Sequence, residues 1–423
     1  MRQKDCIAMV NVDGRGAGAG ILTTSLPKSM IYFGGGHRLI DFALSACSHA
    51  GLDVVGILSG APDLALCSHI GDGRPWVSPG EESGVFILPS GQNEENGGGF
   101  VNAVRRNLAF IRRFSPEHVC LLPGDQVFRM DCAKMIEAHK NSDAAVTLAV
   151  VASSRRKYET GDMEKKGIIP TGFVLTGFYV FRLDALQKYL TLDGAEVKNW
   201  RNFGADVLPV MRQAGEKLQI WKFDGYRREL ETAEDLWESG MDLLGNPSLF
   251  ESAENGGKII GGLMNAPSRF VEEELNVERS VLSGLQVIEG RVQSSILSDS
   301  VVVERGAEVV DSILMPNVYV GRNARIYRTI IGPNARLKRG VEIGEKEVGG
   351  VSVVAPWVRI AAETKFPAGS YIERGYFLED PSSFRVNFVR EYEKAKNFFR
   401  VIWRLEDPDS FSGTGYSPFY SGS

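Results

Sequence analysis

Between residues 5 and 150, short apolar runs alternate with amphipathic stretches: CIAMVNV, then 39–50, LDVVGILSG, VNAVRRNLAFIRRF, HVCLLPGD, CAKMIEAHKN and AAVTLAVV. A strand period that repeatedly gives way to a helix period predicts a parallel sheet with helices on both faces. Turn-forming clusters at Gly71-Asp72-Gly73-Arg74-Pro75 and from Gly91 to Gly99 interrupt the pattern and are expected on the ligand-facing edge. Polar residues take over between Val151 and Gly172. Strand and helix patterns return at 176–186 and at TAEDLWESGMDLL (232–244), so a first domain is expected over residues 1–245.

Beyond a linker expected over 246–280, the period changes. Residues 297–313, 314–330 and 331–347, set under one another, read LSDSVVVERGAEVVDSI, LMPNVYVGRNARIYRTI and IGPNARLKRGVEIGEKE. Their apolar anchors are Leu297, Val303, Val309, Leu314, Val320, Ile326, Ile331, Leu337 and Ile343, spaced six, six and five, with Gly306, Asn323 and Gly340 between them. Three short strands per coil predict a parallel β-helix over 281–375, whose coils stack the anchors into one core. Val354, Ile360, Phe366 and Ile372 continue the six-residue beat, giving about five coils. Farther on, Phe384, Phe388, Tyr392, Ala395, Phe399 and Trp403 fall three to four apart. That spacing predicts an amphipathic helix over 376–404, placed to cap the β-helix or to meet another subunit. The stretch 405–423, ending in SFSGTGYSPFYSGS, reads as a disordered tail.

Composition narrows the function classes. A net charge of −5 gives no basic footprint for nucleic acid, and no apolar run is long enough for a membrane span. The start, MRQKDC, lacks a signal-peptide core, so a cytoplasmic location is expected. Five cysteines without CxxC spacing predict neither a disulfide framework nor a zinc site, and five scattered histidines offer no ligand pair.

The stretch from Met9 to Phe42 carries the candidate chemistry. Apolar residues lead into the glycine- and alanine-rich run from Gly14 to Ala19, then Lys28, then Gly34-Gly35-Gly36 and a helix-like LIDFALSACSHAG. A glycine loop at the carboxyl end of a first strand lets backbone N–H groups approach a phosphate, because no Cβ holds the anion away. DGRG at 13–16, Lys28, FGGGHRLIDFALS at 33–45, LPGDQVFRMD at 122–131 and GADVLP at 204–209 together resemble the sugar-nucleotide pyrophosphorylases. Within them the likeness is to the bacterial ADP-glucose pyrophosphorylase (glucose-1-phosphate adenylyltransferase) family, over about residues 7 to 345.

The resemblance implies an α/β fold: a Rossmann-like, GT-A-like nucleotidyltransferase domain followed by a β-helix of left hand. It implies the transfer of an adenylyl group from ATP to glucose 1-phosphate in glycogen biosynthesis. Residue by residue, it implies Arg15 and Lys28 as catalytic cations and Gly14, Gly16 and Gly99 at the nucleotide. It also implies Asp125 and Glu229 as ligands of Mg2+, Glu229 aligning with the aspartate of a Trp-Arg-Asp-Val-Gly-Thr motif. Nucleotidyl transfer needs such a cation-rich, metal-bridged site and no covalent nucleophile.

Several positions depart from the family pattern. Gly18 stands where the resemblance places an arginine on the β- and γ-phosphates, Ala17 replaces threonine, GFVNAV at 99–104 lacks a threonine and an aspartate, and no Glu-Lys-Pro segment follows Val151. Loss of one preorganised cationic donor costs about 3–4 kcal/mol, a hundredfold or more in rate. The pattern is most similar to the non-catalytic subunit type that some Gram-positive bacteria pair with a catalytic one. The expected partners are therefore a catalytic ADP-glucose pyrophosphorylase subunit and ATP, glucose 1-phosphate or a sugar-phosphate effector. The alternative is a working nucleotidyltransferase with a modified metal pair. A β-helix acyltransferase is the third reading, disfavoured because residues 250–423 contain no histidine to act as general base.

Overall fold

The computed structural model describes residues 5–12, 17–23, 26–60, 64–91, 99–152, 161–192, 199–247, 257–262, 267–346, 349–373, 386–390 and 399–403. Residues 17–19, 161–162 and the last two segments are described by backbone alone. The first domain is built on a seven-stranded sheet in the order Leu218–Lys222, Val146–Ala152, Phe173–Arg182, His118–Pro123, Cys6–Asn11, Val54–Ser59, Gly84–Pro89. Its strands pair in parallel except for Phe173–Arg182, which runs antiparallel to both neighbours. The parallel sheet expected from residues 5–150 is present, and Phe173–Arg182, beyond that stretch, is inserted antiparallel. Phe173–Arg182 lies beside Val146–Ala152, the sheet strand that precedes it in the chain, as an antiparallel neighbour can without a crossover over the sheet.

Alternation along the central strand separates two cores. Cys6, Ala8 and Val10 face one side with the helix Leu39–His49, while Ile7 and Met9 face the other with Val101, Val104 and Phe203. Period-2 side chains on a central strand require apolar cover on both faces, and the helices supply it. All five cysteines are free thiols, four of them buried, and burial pushes the Cys6 thiol up to about 12.

The second domain is a parallel β-helix. All nine anchors read from the repeat, Leu297 to Ile343, have 0 % exposure, and Val354, Ile360, Phe366 and Ile372 are buried behind them. The registers stack them coil on coil: Val303 on Val320 on Leu337 on Ile360 along one face, Leu297 on Leu314 on Ile331 on Val354 along another. Corners demand left-handed backbone. Small polar residues accept it at Ser300, Asn317 and Asn334, with φ near 60° in each, and Trp357 closes that row at φ 66°. A buried hydroxyl ladder, not anticipated from the repeat, runs up one corner. Ser280, Ser295 and Ser312 accept in turn from the backbone N–H of Ser295, Ser312 and Thr329 at 3.0–3.1 Å.

Two boundaries differ from expectation. The linker foreseen over 246–280 contains an antiparallel pair, Ser268–Glu274 with Val277–Ser283, whose second strand opens the β-helix sheet. The amphipathic helix foreseen over 376–404 is not formed by the backbone described there. Val386–Arg390 and Phe399–Trp403 are strands, antiparallel to each other, and the second extends the edge at Ser370–Ile372 in parallel. Aromatic and β-branched residues at alternate positions suit a strand, and an open sheet edge offers them backbone partners. The tail over 405–423 lies outside the described residues.

The helix Ala233–Gly245, capped by Thr232 through the Asp235 N–H, joins the two domains. A Cβ at Gly240 would lie 2.8 Å from Ile313 Cδ1, so the helix meets the β-helix at backbone distance. Trp237 Nε1 donates to Asp311 O at 2.6 Å, and Arg328 covers the indole at 3.8 Å. One apolar cluster runs without a break from the sheet into the β-helix.

Candidate active site

An open α/β sheet carries its ligands beyond the carboxyl ends of its strands, and Asp125 stands at such an end, after the strand His118–Pro123. Asp125 leaves the strand His118–Pro123 through Gly124, where a Cβ would meet Val12 Cγ1 at 2.9 Å and Asn11 O at 3.0 Å. Glycine there lets the Asp125 turn lie against the end of the first strand. Lys28 opens the short helical turn Lys28–Met30, is 9 % exposed, and donates from Nζ to Asp125 Oδ2 at 3.1 Å.

Glu229 ends the strand Arg227–Glu229, which pairs antiparallel with Gln126–Phe128 so that Glu229 lies opposite Gln126. Pairing with a segment far earlier in the chain makes Arg227–Glu229 a strand. Arg227, with 7 % side-chain exposure, is the group at the site that sequence reading did not single out. Its Nη2 ion-pairs with Glu229 Oε1, its Nε donates to Gln126 Oε1 at 3.0 Å and its Nη2 to Thr176 O at 3.4 Å. Gln126 Nε2 also approaches Glu229 Oε1, at 3.5 Å. The alternation of Arg227 and Glu229 placed them on one strand face, and only the unforeseen pairing could have revealed it.

Other foreseen residues fall elsewhere or outside. Gly14, Arg15 and Gly16 lie outside the described residues; the backbone resumes in the helical turn Ala17–Thr23, which buries Ile21 and Leu22. Gly99, at φ 146°, begins the helix Phe100–Arg106, and a Cβ on it would stand 2.7 Å from Arg201 Cα. Its close approach is to the Arg201 backbone, whose carbonyl also accepts from the Val101 N–H at 3.2 Å.

The Mg2+ implied by the resemblance does not fit this donor set. Hard divalent cations are held by carboxylates with open coordination positions, whereas here Asp125 holds the Lys28 ammonium and Glu229 the Arg227 guanidinium. A second cavity, of about 320 Å3, opens between the domains and is lined by Tyr32, Arg38, His69, Ser283, Asp299 and Asn317, among others. Arg38 is held in its wall by Tyr32 OH at 2.6 Å. Among the described residues no helix is long and apolar enough to cross a membrane.

Comparison with known proteins agrees with this architecture. Residues 14–246 match the nucleotidyl transferase family model, and residues 266–349 match the model of the GlmU-like, C-terminal hexapeptide. A glucose-1-phosphate adenylyltransferase of Bacillus cytotoxicus is 33 % identical over 74 % of this chain and 87 % of its own length. Enzymes of the same name from Clostridium perfringens and Bacillus mycoides are also 33 % identical over 74 % of this chain, covering 84 % and 87 % of those proteins. With the sheet and the stacked hexapeptide coils both in place and these relatives matched over most of its length, the chain belongs to the glucose-1-phosphate adenylyltransferase family.

Proposed function

We propose that this chain is a regulatory subunit of glucose-1-phosphate adenylyltransferase, with little turnover of its own, which binds a catalytic subunit in glycogen biosynthesis. The observation that carries the reading is the in-chain neutralisation of the cleft. Lys28 and Asp125 satisfy each other, and Glu229 is held by Arg227. Gly18 and Ala17 offer no cation or hydroxyl in the turn where the family reaction grips phosphate. Transfer of an adenylyl group from ATP to glucose 1-phosphate requires charge aimed at the phosphates, and groups already paired are not aimed there. The cavity between the domains gives a small-molecule effector a place from which to shift their packing.

The second reading is an active adenylyltransferase. It is favoured by the convergence of Lys28, Asp125 and Glu229 on one cleft. Pyrophosphate release from ATP and glucose 1-phosphate by the purified chain, alone and with a catalytic glucose-1-phosphate adenylyltransferase chain, separates the two. The expected result is trace turnover alone and altered kinetics of the partner when mixed. Turnover by the chain alone at the on the order of 1–1000 per second of ordinary enzymes would sink the regulatory reading.

A further inference from the structure

The contacts of Arg227 carry the mismatch with Mg2+ one step further. Counting back from Glu229, Arg227 stands where the resembled motif has tryptophan. Its guanidinium is buried and fixed by Glu229, Gln126 Oε1 and Thr176 O. A guanidinium keeps its charge at any working pH and presents its donors in a rigid fork. A divalent ion at Glu229 would have to displace this fixed cation or sit beside it, and a hydrated Mg2+ gives up water reluctantly. Lys28 engages one oxygen of the companion carboxylate, Asp125 Oδ2, at 3.1 Å.

We propose that Arg227 replaces the divalent cation of the family site, so that the cleft of this chain takes no metal. The inference deepens the regulatory reading and rests on the same cleft, but its test does not involve turnover. Mn2+ alone is titrated into the full chain, with the free ion followed by electron paramagnetic resonance, for the wild type and for Asp125→Asn, Arg227→Gln and the double variant. A second group able to take a cation, Asp5, Glu117 and His118, has ligand atoms within 4.8 Å of one another at the amino-terminal ends of the strands. The Asp125→Asn comparison subtracts it.

The wild type and Asp125→Asn are expected to give the same isotherm below about 1 mM Mn2+. Arg227→Gln is expected to gain a site about tenfold or more tighter than anything in the wild type, and the double variant to lose it. A wild-type site abolished by Asp125→Asn would overturn the proposal, as would a folded Arg227→Gln that gains none. If Arg227→Gln does not fold, the wild-type and Asp125→Asn pair still decides. A chain that turns over yet takes no Mn2+ at Asp125 sinks the regulatory reading and leaves this one standing, and a Mn2+ site without turnover does the reverse.

Discussion

His139 is 1 % exposed, with Nδ1 2.8 Å from the Thr147 hydroxyl. That hydroxyl donates to Gln219 Oε1 at 3.1 Å, so His139 Nδ1 must be the donor, and the bare Nε2 finds no hydrogen-bond partner among the described residues. Burial, with His118, Arg182 and Lys140 nearby, lowers the imidazole from 6.5 to about 4. The folded state thus binds fewer protons than the unfolded chain between those values, and stability present above pH 6.5 is lost as pH falls toward 4. Denaturant titrations are expected to show a loss of on the order of 1 kcal/mol per pH unit in that window. His139→Gln should flatten the slope; an unchanged slope assigns it to other groups. Asp125 gives a second residue-scale test. If the cleft is regulatory, Asp125→Asn changes neither complex formation nor the partner's turnover by more than about twofold, well short of the hundredfold expected for a group acting on the reaction.

At the scale of elements, the hydroxyl ladder contributes specific bonds inside an otherwise apolar solenoid. Ser312 Oγ donates to Val310 O at 2.7 Å and accepts from the Thr329 N–H at 3.1 Å. Ser312→Ala leaves the Thr329 N–H without that acceptor in the core, while Val310 O keeps the Arg328 N–H at 3.1 Å, and is expected to cost about 1–3 kcal/mol, measurable as a lower urea midpoint at constant m value. Ladder and anchors were unequally legible. Anchor spacing follows directly from coil geometry, so each buried residue could be read from the repeat, whereas the serines looked like ordinary turn residues. The carboxyl-terminal strands were misread because Phe399, Val401 and Trp403 keep a period of two inside a segment whose aromatics also keep a helical period. Which period wins depends on the edge at Ser370–Ile372, a tertiary fact. Arg227 was missed for the same kind of reason: its partners Gln126 and Thr176 come from distant strands.

The whole molecule offers a partner a sheet domain and a β-helix fixed to each other by the helix Ala233–Gly245. The regulatory reading predicts a co-eluting complex with a catalytic glucose-1-phosphate adenylyltransferase chain, seen by size exclusion with light scattering at micromolar concentration. It also predicts a shift in that chain's apparent substrate affinity equivalent to about 1–3 kcal/mol of coupling. No complex, or a complex with unchanged kinetics and effector response, counts against it.

The unbroken apolar cluster from sheet to solenoid also bears on how the molecule comes apart. With Gly240 seated against Ile296 and Ile313, neither half has a surface of its own along that seam. Calorimetry of the intact chain should therefore record one cooperative transition. Gly240→Leu, which forces the seam open, should split it into two, the cooperativity of the fold residing in a glycine that makes no hydrogen bond through a side chain.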